Sequence, residues 1–133
     1  MAVEIVWEGR GVYRRFAGRI AARDVAESLE EILGDPRADQ LQFSIADYSE
    51  VSKYDFVQSE ADLVAAYMHS APLSIPPVLC AIVVTDPTVK SRVQSILASS
   101  ETTFPIEYFA SVTCARQWIA RNRSSATEAG RRA

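Results

Sequence analysis

An unbroken apolar run in the second half of the chain most constrains the fold. Residues 78–85 read Val-Leu-Cys-Ala-Ile-Val-Val-Thr, without alternation between apolar and polar positions. A strand with one face on a core alternates, whereas a strand of a parallel sheet is covered by helices on both faces and is apolar throughout. The run therefore predicts an interior strand of a parallel sheet.

The stretch from Leu41 to Phe56 predicts a second strand followed by a turn and a helix. Apolar residues alternate at its start, and Asp47 continues the same row where the apolar pattern stops. Ser52 and Asp55 have the spacing of a capping box, which predicts that a helix begins at Ser52 and continues to about Met68.

The other apolar patterns predict three more strands and three more helices. The strands are expected at Val3 to Trp7, Val12 to Ala17 and Ile106 to Ala110, and the helices at Ala22 to Leu33, after Asp86, and after Ser111. Because strands and helices alternate after the first hairpin, we expect an α/β fold with one mostly parallel five-stranded sheet and four packed helices.

The turn Glu8-Gly9-Arg10-Gly11 predicts a β-hairpin, in which both glycines could supply a positive φ angle. Arg14 and Arg15 fall on opposite faces of its second strand. At least one of them must reach solvent, so we expect the hairpin to lie toward an edge of the sheet.

The length of 133 residues fits one domain that can bury a core. Apolar periodicity ends near Asn122, so residues 1–122 are predicted to form the domain and residues 123–133 a flexible tail. The three prolines between Ser70 and Pro77 predict an extended loop rather than helix.

Charge and targeting signals narrow the classes of partner and compartment. A net charge of -3 with a pI near 5.2 gives no electrostatic reason to expect nucleic acid. There is no signal-peptide pattern and no apolar run of the roughly 20 residues that a membrane helix requires. Cys80 and Cys114 lack ligand spacing and are predicted to be buried, reduced thiols, which indicates the cytoplasm.

Motifs typical of enzymes are missing from the sequence. No glycine pattern for a nucleotide follows a strand, and no GxSxG or SxxK motif is present. The single histidine, His69, has no second ligand at metal spacing and is expected to be a helix-end or solvated residue. We therefore expect a protein that is not an enzyme and has no metal or cofactor.

Asp47 and Asp86 are the acidic candidates for a site, since both follow predicted parallel strands at their carboxyl ends. Ligands of open α/β sheets gather at that edge, and an acid/base role for this pair is one interpretation. The alternative is structural: Asp86 caps a helix, and Asp47 accepts backbone amides of its own loop.

Two other kinds of site are open. Ser49 and Ser52 precede the predicted second helix, where a phosphate would be attracted by the helix dipole, although Ser52 could also be a plain cap. An apolar pocket for a small molecule or lipid could be lined by Phe56, Leu63 and Tyr67, and covered by the Pro-containing loop.

Several short motifs together resemble the SpoIIAA-like (STAS-like) family of small bacterial proteins. They are Gly11-Val12-Tyr13, Phe16-Ala17-Gly18-Arg19-Ile20, Asp35-Pro36-Arg37, Ile45-Ala46-Asp47-Tyr48-Ser49, Ala81-Ile82-Val83-Val84-Thr85-Asp86 and Ala115-Arg116-Gln117-Trp118-Ile119. The resemblance implies a sheet with helices packed against it, of the anti-sigma-factor-antagonist type. It also implies use in protein contacts or for small apolar ligands, without catalysis.

In the antagonists of that family, a phosphorylated serine follows the third strand. The corresponding region here is Asp47 to Ser52, which lacks the Asp-Ser-Ser-Gly type of signature, so Ser49 or Ser52 would replace that serine by location only. The leading hypothesis is a regulatory, protein-binding module that acts through the surface from Tyr48 to Tyr54; the alternative is a binder of small apolar molecules. An edge strand or the helix carrying Trp118 could also form a homodimer.

Overall fold

A computed structural model describes the backbone of residues 3–132 and the side chains of residues 3–123. The strands in this part of the chain are β1 (Val3–Glu8), β2 (Gly11–Ala21), β3 (Phe43–Asp55), β4 (Leu79–Val83) and β5 (Ile106–Phe109). The helices are α1 (Ala22–Leu33), a 3-10 helix (Pro36–Gln40), α2 (Gln58–Ser74), α3 (Pro87–Ser100) and α4 (Val112–Arg132).

The five strands form one sheet in the order β1-β2-β3-β4-β5. β1 pairs with β2 in antiparallel orientation, and the other three pairs are parallel. β4 therefore lies between two neighbours, and its residues from Cys80 to Val83 are buried. The α/β fold with a mostly parallel five-stranded sheet and an interior strand at this position is confirmed.

The sheet separates two apolar cores. Helices α1, α2 and α3 cover one face, where the larger core includes Phe16, Ile20 and Val78. Helix α4 covers part of the other face, where Ala115 and Ile119 pack on Phe43, Ile45, Ala81 and Val83. Strand β4 is thus buried on both sides, which explains why it carries no polar alternation, whereas β2 and the second half of β3 have exposed residues on the α4 side.

Strand β3 is much longer than its sequence pattern suggested, and the predicted helix start at Ser52 is wrong. The strand continues to Asp55 beside β2, with register shifts near Ala17 and Gly18, and α2 begins only at Gln58. Val51 and Tyr54 are buried beneath the helices. Pairing with β2 and this burial outweigh a capping box, which is worth about 1 kcal/mol.

The first hairpin uses its two glycines differently. Gly9 has a φ of 59°, as the turn requires, but Gly11 has no positive φ. A Cβ atom on Gly11 would lie 1.9 Å from Cζ of the Phe43 ring, so this glycine is required for close packing. Of the two arginines, Arg15 reaches solvent and pairs with Glu50. As predicted, the hairpin contains an edge strand, β1.

The prediction of an extended loop from Ser70 is wrong in part, since helix α2 continues to Ser74 with Pro72 inside its last turns. Buried Ala71 anchors this part of the helix on the core. Helix α1 ends at Leu33 as predicted, and Gly34 follows it with a φ of −84°.

The proposed tail lies largely within helix α4, whose backbone is continuous to Arg132. Side chains beyond residue 123 lie outside the described residues. The division into a domain at 1–122 and a flexible tail at 123–133 therefore stays a prediction.

Candidate functional site

A cavity lies between the sheet and the three helices on its larger core. It offers about 60 Å³ of space to the centres of water-sized molecules. Its walls are almost entirely apolar, and each helix contributes two or more of the lining side chains, among them Leu29, Ile32, Val64, Met68, Val93 and Ile96. An apolar lining with a few polar groups is typical of small-molecule sites, but this cavity is smaller than the usual roughly 300–1,000 Å³ and therefore suits only a small ligand.

Five lining residues carry polar atoms, and all five come from the sheet. They are Arg14 of β2, Ser44, Tyr48 and Tyr54 of β3, and Cys80 of β4. They reach the cavity because alternate residues of a strand point to the same face. The floor of the cavity therefore carries its polar groups, whereas the helices supply an apolar roof.

Arg14 is the only residue among these whose side chain is charged, and it is 94% buried, with a relative exposure of 6%. Its Nη1 atom donates a hydrogen bond of 3.0 Å to Ser28 Oγ, and its guanidinium carbon lies 5.5 Å from the centre of the Phe16 ring. Its Nε atom has no hydrogen-bond partner within the described residues.

Among the side chains of residues 3–123, no carboxylate pairs with this charge. The ion pairs between described side chains, with N–O distances of up to 4.0 Å, do not include Arg14. Burial lowers the pKa of the Arg14 guanidinium, because the surrounding apolar groups solvate a cation poorly. The cavity thus contains an uncompensated positive charge.

Two tyrosines lie beside this charge on the same face of the sheet. Tyr48 stacks on Phe16 with 4.8 Å between ring centres, and Tyr54 lies 6.2 Å from Tyr48 by the same measure. Burial raises the pKa of Tyr48 to about 12 and raises that of Tyr54 as well. Both hydroxyls are therefore protonated at neutral pH and can donate hydrogen bonds to a ligand.

Cys80 completes the polar floor. Burial raises the pKa of its thiol to about 12. The thiolate is the nucleophilic form of cysteine, and it is scarcely populated at neutral pH when the pKa is this high. The cavity can therefore bind and orient a molecule, but its thiol and its phenols are poorly suited to act as a nucleophile or a base.

The sequence-predicted site residues do not form one cluster. Tyr48 faces the cavity, whereas Asp47, the preceding residue, lies on the opposite face of the sheet. The Asp47 carboxylate accepts a 2.6 Å hydrogen bond from the Tyr13 hydroxyl and a 3.0 Å bond from the Ser49 amide. Burial and this contact raise the pKa of Tyr13 to about 12. Asp47 therefore has the structural role that was one of the two alternatives.

Asp86 has the other structural role that we considered. Its carboxylate accepts hydrogen bonds from the backbone amides of Thr88 (2.8 Å) and Val89 (3.0 Å), and so caps helix α3. Asp47 lies within β3 opposite Val83, the last residue of β4, and not at the end of its own strand as predicted.

Ser49 and Ser52 are exposed positions of strand β3 and do not precede a helix. The attraction of a phosphate to a helix N-terminus, on which the switch hypothesis depended, is therefore missing at both serines. Tyr48 and Tyr54, the ends of the proposed contact surface, are buried. That surface consists only of the residues between them that point outward.

The residues expected to line an apolar pocket are also misplaced. Phe56 and Leu63 are exposed, at 38% and 47%, and Tyr67 is half-buried but does not line the cavity. Helix α2 faces the cavity with Val64 and Met68, the row next to the one predicted. A cavity does lie between the helices and the sheet, but the face of α2 that lines it is not the one predicted.

The histidine and the second cysteine considered in the sequence analysis lie outside the cavity. His69 is exposed, and its Nδ1 lies 3.0 Å from the Ser100 carbonyl oxygen. Cys114 is exposed, which corrects the prediction that both thiols are buried. Groups of three or more metal-ligating side chains are not found among the described residues.

Sequence reasoning missed Arg14, the most unusual residue of the cavity. A signal was present, because Val12, Arg14 and Phe16 alternate on one face of β2, and two of these three are large and apolar. The prediction only required that one of the two adjacent arginines reach solvent, and it did not ask which face would be covered.

The order of strands and the placement of four helices define an α/β fold of the SpoIIAA-like type, as the sequence motifs implied. The structure is similar to the crystal structure of an uncharacterised protein of the DUF3478 family from Shewanella loihica PV-4, described as having a SpoIIAA-like fold. The TM-score is 0.54 at 15% sequence identity, and the match covers 89% of this chain and 92% of the other.

Identity this low shows a shared fold and nothing about activity. Comparison of the sequence with known protein families and with curated proteins gives no match. Among the helices described here, none has the length and apolar character needed to cross a membrane.

Proposed function

We propose that this protein is a non-enzymatic binding module that holds a small, largely apolar molecule between the sheet and helices α1 to α3. The observation that carries the proposal is the cavity itself, which interrupts an otherwise close-packed core. Interiors of folded proteins contain few spaces larger than one water molecule, so a space of this size in the main core requires an explanation. Occupation by a ligand provides one.

The absence of catalysis is part of the proposal and is supported by the chemistry of the cavity. The raised pKa values of Tyr48 and Cys80, about 12 in each case, keep both groups neutral at physiological pH. Catalytic bases and nucleophiles have pKa values near the working pH or below it. These groups are suited to contact a ligand rather than to transform it.

The test is a titration with 1-hexanol, followed by NMR and by calorimetry, of the wild-type protein and of two variants. Val64→Phe places a ring in the cavity, because Val64 lines it. Leu63→Phe makes the same change in side-chain class one residue away, on the exposed face of α2, and serves as the matched control.

We expect the wild type and Leu63→Phe to bind the alcohol equally, and Val64→Phe to lose binding at least tenfold. Native mass spectrometry of protein purified without refolding should also show a bound small molecule. The proposal is wrong if the wild type does not bind 1-hexanol, or if filling the cavity leaves binding unchanged.

A protein partner is the second candidate, and one observation favours it. Pairing between β3 and β4 ends at Asp47, whereas β3 continues to Asp55 with no strand beside it on that edge within the described residues. An unpaired edge of this kind can accept a strand from another chain. A regulatory role would follow if binding there were controlled through exposed Ser49 and Ser52.

Capture of partners from the native host, with the Ser49→Asp and Ser52→Asp double variant beside the wild type, tests this second function. We expect the double variant to lose a partner that the wild type retains, because two added carboxylates flank the free edge. Unchanged partners would remove the proposal. A reducing, cytoplasmic location is part of it, supported by the two free cysteines, Cys80 and Cys114.

A further inference from the structure

The charge in the cavity says more about the ligand than the apolar walls do. Burying an unpaired cation is costly, and a ligand that only needs an apolar space gives no reason to place one there. Arg14 enters the cavity from the sheet, is 94% buried, and retains one enclosed donor, Nε, without a partner within the described residues.

We infer that the ligand is a short apolar chain ending in one carboxylate, which the Arg14 guanidinium binds at the floor of the cavity. This inference rests on the proposed function and specifies the chemical class of its ligand. A carboxylate is planar and can accept two parallel hydrogen bonds from a guanidinium, which makes this pair stronger than bonds between neutral groups.

The neighbouring residues support an anion. Tyr48 and Tyr54 line the same cavity, and among the described residues neither phenol hydroxyl has a hydrogen-bond partner. Each hydroxyl can donate to a carboxylate oxygen that Arg14 leaves unfilled. Ser28 cannot replace the anion, because it is neutral and its own hydroxyl already donates to the Val25 carbonyl oxygen at 2.7 Å.

One cation suits one negative charge. A phosphate dianion would bring an excess negative charge into apolar walls, and burying such a charge without a partner is unfavourable. The described part of the chain supplies Arg14 as the charged residue that lines the cavity. A monocarboxylate therefore fits the charge of the site better than a phosphate ester does.

The volume limits the chain length. A water molecule needs about 10–15 Å³ measured in the same way, so the 60 Å³ cavity has room for about four to six such molecules in a row or cluster. Butanoate, with six non-hydrogen atoms, fills this space, and hexanoate, with eight, fits when a flexible lining side chain such as Met68 moves aside, whereas a long-chain fatty acid requires the helices to move apart. Hexanoate is therefore a suitable probe.

The experiment compares hexanoate with two neutral molecules of the same length, hexanamide and 1-hexanol, by isothermal titration calorimetry. It uses the wild type, Arg14→Met, and Arg15→Met as the matched control on the exposed face of the same strand. We expect the wild type and Arg15→Met to bind hexanoate roughly 10-fold to 100-fold more tightly than hexanamide. Arg14→Met should lose this preference and still bind the alcohol.

Two outcomes overturn the inference alone: hexanol binds but hexanoate has no advantage over hexanamide, or the advantage survives in Arg14→Met. If neither hexanol nor hexanoate binds the wild type, the proposed function fails and the inference fails with it. The comparison of hexanoate with hexanamide needs only the wild type, so it decides the question even if Arg14→Met does not fold.

Discussion

Replacement of Arg14 by methionine should stabilise this protein while impairing its function. The guanidinium is buried without a carboxylate partner, and replacing buried charged groups by apolar side chains of similar size is often neutral or stabilising by about 1–4 kcal/mol. Methionine is unbranched and flexible, so it can follow much of the path of the arginine side chain.

Arg14 makes few favourable interactions that methionine would remove. Ser28 would no longer accept a hydrogen bond from Arg14, but it retains its own donation to the Val25 carbonyl oxygen. The cation–π interaction with Phe16, typically worth about 0.5–2 kcal/mol, is partly replaced by a sulfur–aromatic interaction. We therefore expect a net gain of about 1–3 kcal/mol in the free energy of unfolding.

Thermal unfolding measured by circular dichroism gives the readout. The unfolding entropy of 133 residues is about 0.28 kcal/mol/K, so 1 kcal/mol corresponds to about 3.6 °C and the expected rise in Tm is about 4–11 °C. Arg15→Met, which removes an exposed ion pair with Glu50, should change Tm by less than about 3 °C.

The pH dependence adds a second check. Burial lowers the folded-state pKa of Arg14. Below that lowered pKa, the buried charge costs the folded protein the same free energy at every pH. This cost decreases only as the pH rises from the lowered pKa toward the ordinary pKa of arginine. The advantage of methionine should therefore be equal at pH 5 and pH 7. A Tm below that of the wild type at both pH values would refute the view that this charge is uncompensated.

Three further predictions concern the fold. Gly11→Ala should lower the free energy of unfolding in urea by about 2 kcal/mol or more, because the new Cβ would overlap the Phe43 ring. Phe43→Leu in the same chain should recover part of this loss. A Gly11→Ala variant as stable as the wild type would contradict this packing. Asp86→Ala should lower the free energy of unfolding by about 1 kcal/mol, because α3 loses its cap. Asp86→Asn should lower it much less, since asparagine can also cap a helix. Equal losses in the two variants would argue against a cap. Iodoacetamide should label exposed Cys114 and leave Cys80 unmodified in the native protein, as mass spectrometry can show; rapid labelling of both would mean that the core opens readily.

Local periodicity was sufficient to predict most of the fold. The apolar run from Val78 to Thr85 indicated that β4 is covered on both faces, and the alternation of strands with helices indicated a mostly parallel sheet. The start of α2 could not be obtained in this way. The capping box at Ser52 is a local signal, whereas the pairing that extends β3 to Asp55 comes from β2, some 35 residues earlier in the chain.

The later start of α2 also explains why the pocket residues were misassigned. Leu63 and Val64 are adjacent and both apolar, so the sequence alone did not decide which of them faces the sheet. The choice depends on how α2 leaves β3, which is set by tertiary contacts. Arg14 was missed for a related reason: strand alternation places it on one face, but only the packed helices show that this face is closed.

The separation of the two cores by the sheet has a mechanical consequence. The sheet closes one side of the cavity, so we expect a ligand to enter from the side of α1, α2 and α3 or of the loops beside them, which leaves the packing of Ala115 and Ile119 on the other face of the sheet unchanged. Amide hydrogens of α2 should therefore exchange faster in the empty protein than in the loaded one, while those of β4 keep a constant, slow rate. The sheet with α4 would thus stay rigid, while the helices on the other face move to admit the ligand.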